Sequence, residues 1–184
     1  MAVDVLETRL DGPILLVPEA HGDERGFFQE TYVRAPYRAL GIFDEFVQDN
    51  HSRSRRGVVR GMHFQIGAGQ AKLVRCARGA ILDVVVDLRR ESRTFGQWES
   101  FALDDRNLRQ LYCPVGFAHG FCATTDAADV LYKVSAYFDP GLERGIAYDD
   151  PQVAIEWPDL ELVASERDRR APRLADIMEE LPFR

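Results

Sequence analysis

The stretch from residue 58 to residue 88 decides the fold, and it reads Val58-Val59-Arg60-Gly61-Met62-His63-Phe64-Gln65, then Lys72-Leu73-Val74-Arg75-Cys76-Ala77, then Ala80-Ile81-Leu82-Asp83-Val84-Val85-Val86-Asp87-Leu88. Each run is short, rich in β-branched residues and partly alternating between apolar and polar side chains, as expected of a strand. The separators, Gly67-Ala68-Gly69 and Arg78-Gly79, are residues that favour turns. Successive strands joined by short turns predict a mostly antiparallel sheet.

Similar runs occur on both sides of this stretch. They are Ile14 to Val17, Gly26 to Val33, Phe46 to Asn50, Gln97 to Leu103, Gln110 to Tyr112 and Val130 to Phe138. Strands at this spacing predict a sandwich or a barrel. Helix is scarce: the sequence predicts one from Pro36 to Leu40, with proline at the first position, and one from Leu174 to Leu181.

The segment from Pro114 to Phe121 places a glycine on each side of an aromatic and histidine pair, Phe117 and His119. Such a pattern is expected where the backbone turns tightly beside a ligand. A jelly roll closes strands into a tapered barrel whose inward side chains line a cavity. We therefore predict a mostly β jelly-roll barrel with a few short helices, built as a single domain over residues 1–184.

The composition and net charge of the chain limit the kinds of molecule that the protein can bind. Hydrophobic residues make up 46% and charged residues 29% of the chain, which is the ordinary globular range. The net charge of -7 would repel nucleic acid, so an anionic ligand must meet a local basic pocket. There is neither a long apolar run nor a signal-like N-terminus, so we expect no membrane partner and a cytoplasmic location. Cys76, Cys113 and Cys122 lack CxxC spacing, which favours buried thiols over a zinc site.

Polar side chains fall on one face of each strand in the deciding stretch. Period-two alternation puts His63 and Gln65 on one face, and it gives Lys72 and Asp83 corresponding places on the next two strands. If those faces line a barrel, His63, Lys72 and Asp83 converge. Burying them is costly unless they are paired or functional, so the inward register implies a site. The alternative register, slipped by one residue, would expose Lys72 and Asp83 to solvent.

A metal-binding barrel is the obvious competitor to this interpretation. Cupin-type barrels often hold a metal with two histidines one residue apart on a strand, whereas here the second position is Gln65. No glutamate follows at a helpful distance, so a first-row metal would have too few ligands. We therefore expect no metal.

Many segments of the chain resemble the dTDP-4-dehydrorhamnose 3,5-epimerase family, in order, over roughly residues 10 to 170. The blocks that carry the resemblance are Asp23 to Glu30, Gln48 to Ser54, Gly57 to Gln65, Gln70 to Arg75, Asp83 to Arg89, Ser92 to Trp98, Gly116 to Phe121, Leu131 to Lys133 and Ile155 to Pro158. The resemblance implies a cupin-type jelly-roll homodimer that exchanges an N-terminal strand. It also implies epimerisation at C3 and C5 of a dTDP-4-keto-6-deoxyhexose, a reaction of proton transfers that requires no redox cofactor.

The resemblance also assigns roles to residues of this chain. His63 would be the base, Tyr132 the acid on the opposite face, Lys72 the cation beside the developing enolate oxygen and Asp168 the carboxylate that orients His63. The residues implied in substrate binding are Arg25, Phe28, Glu30, Gln48, Asn50, Arg60, His119, Phe138, Glu143 and Arg167. The segment from Arg25 to Glu30 would reach into the neighbouring subunit's site. Strict alternation separates Arg60 from His63, so either Gly61 allows a bulge or Arg60 enters from the strand's end.

Several of these residues could instead have purely structural roles. Lys72 alone could be a solvated strand lysine, Tyr132 a core aromatic and Asp168 a surface helix charge. The chain also departs from the common family pattern at Phe138, where many relatives carry tyrosine, and at Arg93, where proline is usual. Three alternative functions remain open at this stage: an epimerase acting on C3 only or C5 only, a non-catalytic cupin that binds a nucleotide sugar, and a 3,4-ketoisomerase on a related barrel.

Overall fold

Two β-sheets packed face to face form the body of the protein. The structure, a computed structural model, describes residues 2–184. The strands are β1 (Val3–Leu6), β2 (Ile14–Pro18), β3 (Ala20–Asp23), β4 (Gly26–Gln29), β5 (Gln48–Arg55), β6 (Val58–Gln65), β7 (Lys72–Arg78), β8 (Ala80–Asp87), β9 (Trp98–Asp104), β10 (Gln110–Cys113), β11 (Phe117–Ala123), β12 (Ala127–Val134), β13 (Glu143–Gly145) and β14 (Val163–Ala164). The helices are α1 (Arg34–Ala39), α2 (Glu166–Arg169) and α3 (Leu174–Ile177), followed by a 3₁₀ turn at Met178–Glu180. None of these helices has the length and apolar character needed to cross a bilayer.

The first sheet has the order β1-β2-β10-β7-β12-β5, and the second has the order β13-β6-β11-β8-β9 with β14 beside β6. All pairings are antiparallel except that of β14 with β6. Strands β3 and β4 form a hairpin of their own. This mostly β architecture confirms the predicted fold class.

The space between the sheets is divided into an apolar part and a polar part. Inward residues such as Val74 on β7, Ile81 and Val85 on β8 and Val130 on β12 pack into one buried cluster. The register of these strands also turns Lys72 and Asp83 inward, and both are buried. The inward register was therefore the correct one of the two weighed from the sequence. The three cysteines are buried and unpaired, as expected.

The outer faces of the two sheets are covered by other parts of the chain. Residues of α3 and the C-terminus, including Leu174, Ile177 and Phe183, pack on the outer face of the second sheet. Tyr37 of α1 and Ile42 pack on the first sheet against Leu16 and Leu73. These layers explain why outward residues of the central strands are apolar as well, which weakens their alternation.

Several element boundaries differ from the sequence predictions. The strand predicted from Gly26 to Val33 ends at Gln29, because the Thr31 carbonyl accepts hydrogen bonds from the side chains of Tyr37 and Gln110 and not from a strand. The strand predicted from Phe46 to Asn50 runs from Gln48 to Arg55, and the one predicted from Val130 to Phe138 runs from Ala127 to Val134.

The predicted helices and the glycine-flanked segment also need correction. Helix α1 begins at Arg34, so Pro36 is its third residue, where a missing N–H still costs no intrahelical bond. The helix predicted from Leu174 to Leu181 becomes 3₁₀ after Ile177. In the glycine-flanked segment the backbone turns only at Val115 and Gly116, because residues 117–123 form β11, a fully buried strand between β6 and β8.

Candidate active site

A cavity of about 690 Å³ opens between the sheets, and most of the residues singled out from the sequence line it. His63 on β6 and Tyr132 on β12 belong to different sheets, so they approach the cavity from opposite walls. The lining residues are Gln48, Asn50, Ser52, Val58, Val59, Arg60, His63, Gln70, Lys72, His119, Phe121, Tyr132, Phe138, Glu143, Val163, Ala164, Ser165, Arg167 and Asp168. All four proposed catalytic residues therefore meet in one place.

His63 is paired with a carboxylate from the C-terminal region. Its Nε2 lies 2.7 Å from Oδ1 of Asp168, which is buried. Burial raises the pKa of Asp168, but hydrogen bonds from His63, from Ser165 and from the Gly61 backbone outweigh it and hold that pKa below its usual value. An ionised carboxylate only accepts hydrogen bonds, so in the neutral form of His63 the proton sits on Nε2 and Nδ1 has a free lone pair. In that form Nδ1 can act as a base.

A short helix brings Asp168 to the histidine. Ser165 is the N-cap of α2, and its Oγ accepts a hydrogen bond of 3.1 Å from the Asp168 backbone N–H. The strand β14 immediately before the cap runs parallel to β6, the strand that carries His63. Pairing β14 with β6 therefore fixes where α2 begins, and the cap fixes the first turn.

A bulge in β6 brings Arg60 to the cavity. In the pairing of β6 with β11, His63 faces His119 whereas Arg60 faces Phe121, so Gly61 and Met62 together oppose a single residue, Gly120. Only glycine fits at position 61, because a Cβ there would lie 2.5 Å from the Gly120 Cα. The first of the two explanations offered from the sequence, a bulge at Gly61, is confirmed.

Lys72 reaches the cavity from β7, and its side chain is buried. Its Nζ donates a hydrogen bond of 3.1 Å to the backbone carbonyl of His63. Burial lowers the pKa of Lys72, while the nearby Cys113, Glu143 and Asp83 oppose that effect. The amino group of Lys72 is therefore held on the same side of the cavity as His63.

A second histidine and carboxylate pair lies deeper in the same wall. The Nε2 of His119 lies 3.0 Å from both carboxylate oxygens of Asp83, which is fully buried. Of the three residues predicted to converge, His63 and Lys72 line the cavity and Asp83 does not. Asp83 pairs with His119, whereas the carboxylate partner of His63 is Asp168.

Tyr132 is half-buried and stands on the wall opposite His63. It packs against the apolar cluster between the sheets. Burial raises the pKa of its hydroxyl, with Glu143 adding to the effect and Arg60 opposing it. A phenol with a raised pKa keeps its proton at neutral pH and can donate it when a carbanion develops.

The predicted substrate-binding residues fall into two groups. Those that line the cavity are Gln48, Asn50, Arg60, His119, Phe138, Glu143 and Arg167. Arg167 forms an ion pair of 2.8 Å with Glu143, and the Gln48 amide donates to the Asn50 side chain at 2.9 Å. The second group, Arg25, Phe28 and Glu30, lies on or just after the β3–β4 hairpin and does not line this cavity. Within the hairpin, Arg25 pairs with Asp23.

Sequence reasoning missed four polar or aromatic lining residues: Ser52, Gln70, Phe121 and Ser165. Alternation could have found two of them, because Ser52 shares a face with Gln48 and Asn50, and Phe121 shares one with His119. Gln65, which is buried, bonds to the loop after β12. Among residues 2–184 no three His, Cys, Asp or Glu side chains are grouped so as to hold a metal ion.

Comparisons with known proteins give a consistent result. The family model described as dTDP-4-dehydrorhamnose 3,5-epimerase matches residues 7–176. A protein of that name from Pseudomonas aeruginosa (strain PAO1) is 50% identical to this chain over 174 residues, covering 92% of this chain and 96% of its own length. A dTDP-4-dehydrorhamnose 3-epimerase from Streptomyces niveus is 44% identical, covering 91% of this chain and 82% of its own.

Solved structures agree with these relatives. The crystal structure of a dTDP-6-deoxy-D-glucose-3,5-epimerase from Legionella pneumophila, in complex with dTDP-4-keto-L-rhamnose, superimposes with a TM-score of 0.96 at 44% sequence identity. The match covers 100% of this chain and 99% of the other. Both the strand framework and the length of the chain are therefore shared with an enzyme that binds a dTDP-linked keto sugar.

Proposed function

The chain belongs to the dTDP-4-dehydrorhamnose 3,5-epimerase family, and from that premise we propose that it inverts C3 and C5 of a dTDP-4-keto-6-deoxyhexose, with His63 as base and Tyr132 as acid. The observation that carries the proposal is the placement of these two side chains on opposite walls of one cavity. Removing a proton from one face of a carbon and returning one from the other face inverts that carbon. No electron is gained or lost overall, so the reaction needs no redox cofactor.

The first step is removal of a proton beside the C4 ketone. The C–H bond breaks, its electron pair moves onto the ketone oxygen as an enolate, and Nδ1 of His63 takes the proton. The carboxylate of Asp168, 2.7 Å from Nε2, stabilises the imidazolium that results. Lys72, anchored to the His63 carbonyl, supplies positive charge on the base's side of the cavity for the enolate oxygen.

The second step is protonation from the opposite face. The Tyr132 hydroxyl gives its proton to the enolate carbon, and the electron pair returns from oxygen to re-form the ketone. Both side chains then exchange protons with solvent before the next inversion. With only one such base, C3 and C5 must be presented to His63 in turn.

The nucleotide diphosphate is met by a local concentration of basic side chains, which the overall charge of -7 requires. Arg60 and Arg167 line the cavity, and a guanidinium can donate two parallel hydrogen bonds to a phosphate. Gln48 and Asn50 on β5, His119 on β11 and Glu143 on β13 complete the proposed binding surface. Phe138, exposed at the rim, offers a ring face for stacking.

We also propose that the protein is a homodimer in which the β3–β4 hairpin of one subunit completes the site of the other. The hairpin pairs with neither main sheet, and it exposes Phe27 and Phe28, which are 62% and 67% accessible. Two adjacent exposed aromatic rings are typical of an interaction surface. Arg25, Phe28 and Glu30 would then bind substrate across the interface.

Two further expectations belong to this proposal. The whole of residues 1–184 would act as one domain, because C-terminal residues both pack on the second sheet and supply Asp168 to the cavity. The protein would work in the cytoplasm, since its cysteines are all unpaired, as is usual in a reducing compartment.

Incubation in heavy water with a dTDP-4-keto-6-deoxyglucose substrate, followed by NMR, tests the proposed reaction. We expect deuterium at both C3 and C5 and an L-series product. His63→Ala should abolish incorporation at both carbons, whereas Tyr132→Phe should slow inversion more than exchange, because His63 can still return a deuteron to the same face. Label confined to one carbon in the wild-type protein would favour the second candidate, a single-centre epimerase like the Streptomyces niveus relative. No label at either carbon would refute both.

A further inference from the structure

The loop that follows β12, residues 135–139, carries Phe138 to the rim of the cavity, and its backbone is held by glutamine side chains. The Gln70 amide donates 2.8 Å to the Ala136 carbonyl, and the Phe138 N–H donates 3.2 Å to the Gln48 side-chain oxygen. Between them Gln65 makes two bonds, donating 3.4 Å to the Tyr137 carbonyl and accepting 2.9 Å from the Asp139 N–H. The loop is irregular but not loosely attached.

Gln65 differs from the other two glutamines in its position. It is only 4% exposed and does not line the cavity, so it lies beneath the loop and touches no space that a substrate could fill. It is two residues from His63 on β6, and both side chains point inward from that strand. One end of this strand segment therefore bears the base, and the other end bears the attachment of the Phe138 loop.

The chemistry of the two bonds requires a carboxamide. One loop group is a carbonyl, which needs a donor, and the other is an N–H, which needs an acceptor. A glutamate of the same shape would keep the bond to Asp139 but place a negative oxygen against the Tyr137 carbonyl. An apolar side chain would make neither bond.

From this geometry we infer that Gln65 is a positioning residue that holds the Phe138 loop at a fixed distance from His63, so that a once-inverted sugar stays bound while its second carbon is presented to the base. The inference rests on the proposed double epimerisation. With a single base on one wall, the sugar must shift between the two proton transfers without leaving. The aromatic ring at the rim must then stay in place during the shift, and Gln65 is the residue that links its loop to the strand of the base.

Gln65→Met is the variant that removes both bonds while nearly preserving side-chain volume. Two hydrogen bonds of ordinary strength correspond to about a tenfold change in the equilibrium between the attached and the detached loop. We expect the ratio of doubly to singly deuterated product, measured by NMR in heavy water at early times, to fall about tenfold. The singly inverted intermediate should accumulate in solution. For the first exchange, KM should rise by a larger factor than the factor by which kcat falls.

Gln110→Met is the matched control. Gln110 is also buried and also makes one donated and one accepted bond, to the Thr31 carbonyl and from the Tyr37 hydroxyl, but on the outer side of the first sheet. It should lower the melting temperature to a similar extent and leave the product ratio at the wild-type value. A merely structural role for Gln65 predicts that the two variants behave alike.

Gln65→Glu provides a second test should Gln65→Met fail to fold. It keeps the shape and the bond to Asp139, so its product ratio should fall by less than tenfold while its fold is retained. A wild-type ratio in every Gln65 variant that folds would overturn the inference. Absence of deuterium at either carbon in the wild-type protein would instead overturn the proposed reaction, so the two failures are distinguishable.

Discussion

Replacing Asp168 by asparagine removes the charge that stabilises the imidazolium and leaves the side-chain shape nearly unchanged. The carboxylate oxygen lies 2.7 Å from Nε2 of His63, which puts the centres of the two charges about 4 Å apart. At an effective dielectric constant of about 20 this attraction is about 4 kcal/mol, and Asp168 is buried enough for solvent to screen it little. Because the attraction exists only once His63 is protonated, its loss raises the barrier and not the energy of the bound substrate.

We therefore expect kcat of Asp168→Asn to fall by about a thousandfold, since each 1.36 kcal/mol is worth about tenfold in rate. KM should change much less. Steady-state rates of product formation, with deuterium incorporation under saturating substrate as an independent readout, measure both quantities. The asparagine amide can also donate to Nε2 and so stabilise the wrong tautomer, which acts in the same direction.

Asp129→Asn is the control for this experiment. Asp129 also pairs with a histidine, at 3.4 Å from His51, and with Arg53, but it does not line the cavity. Its replacement should leave kcat at the wild-type value. A fall of less than tenfold in Asp168→Asn, or an equal fall in both variants, would refute the electrostatic role assigned to Asp168.

Two other predictions concern assembly and acid stability. Mixing Arg25→Ala subunits with His63→Ala subunits should restore roughly a quarter of the wild-type activity at low substrate concentration, because each mixed dimer regains one intact site. No recovery after verified subunit exchange would exclude a shared site. Burial raises the pKa of Asp87, but hydrogen bonds from Arg89, Ser92 and Thr94 hold that pKa below its usual value. The stability that ionised Asp87 contributes is therefore complete above pH about 4 and is lost as the pH falls further. Asp87→Asn should cost about 3 kcal/mol at neutral pH and flatten the acid decline, as followed by urea unfolding across pH. Parallel pH curves for the two proteins would contradict this linkage.

The sequence by itself determined the strands of the deciding stretch and most of the site. β6 matches its prediction from Val58 to Gln65, and β7 and β8 differ by one residue at their ends. Local alternation and turn residues suffice there, because both act within a few residues along the chain. The resemblance to a family then supplied His63, Lys72, Tyr132 and Asp168, and the cavity contains all of them.

Residue spacing along the chain did not reveal which of these groups are partners, and the Asp83–His119 pair became apparent only in the tertiary structure. Asp168 lies 105 positions from His63 in the chain, and Asp83 bonds to His119 and not to His63, although spacing had grouped Asp83 with His63. The status of β11 as a central strand and the bulge that turns Arg60 inward likewise depend on pairing between distant segments. A hydrogen bond across a sheet depends on register and packing set by the whole fold, and no local pattern of residues contains that information.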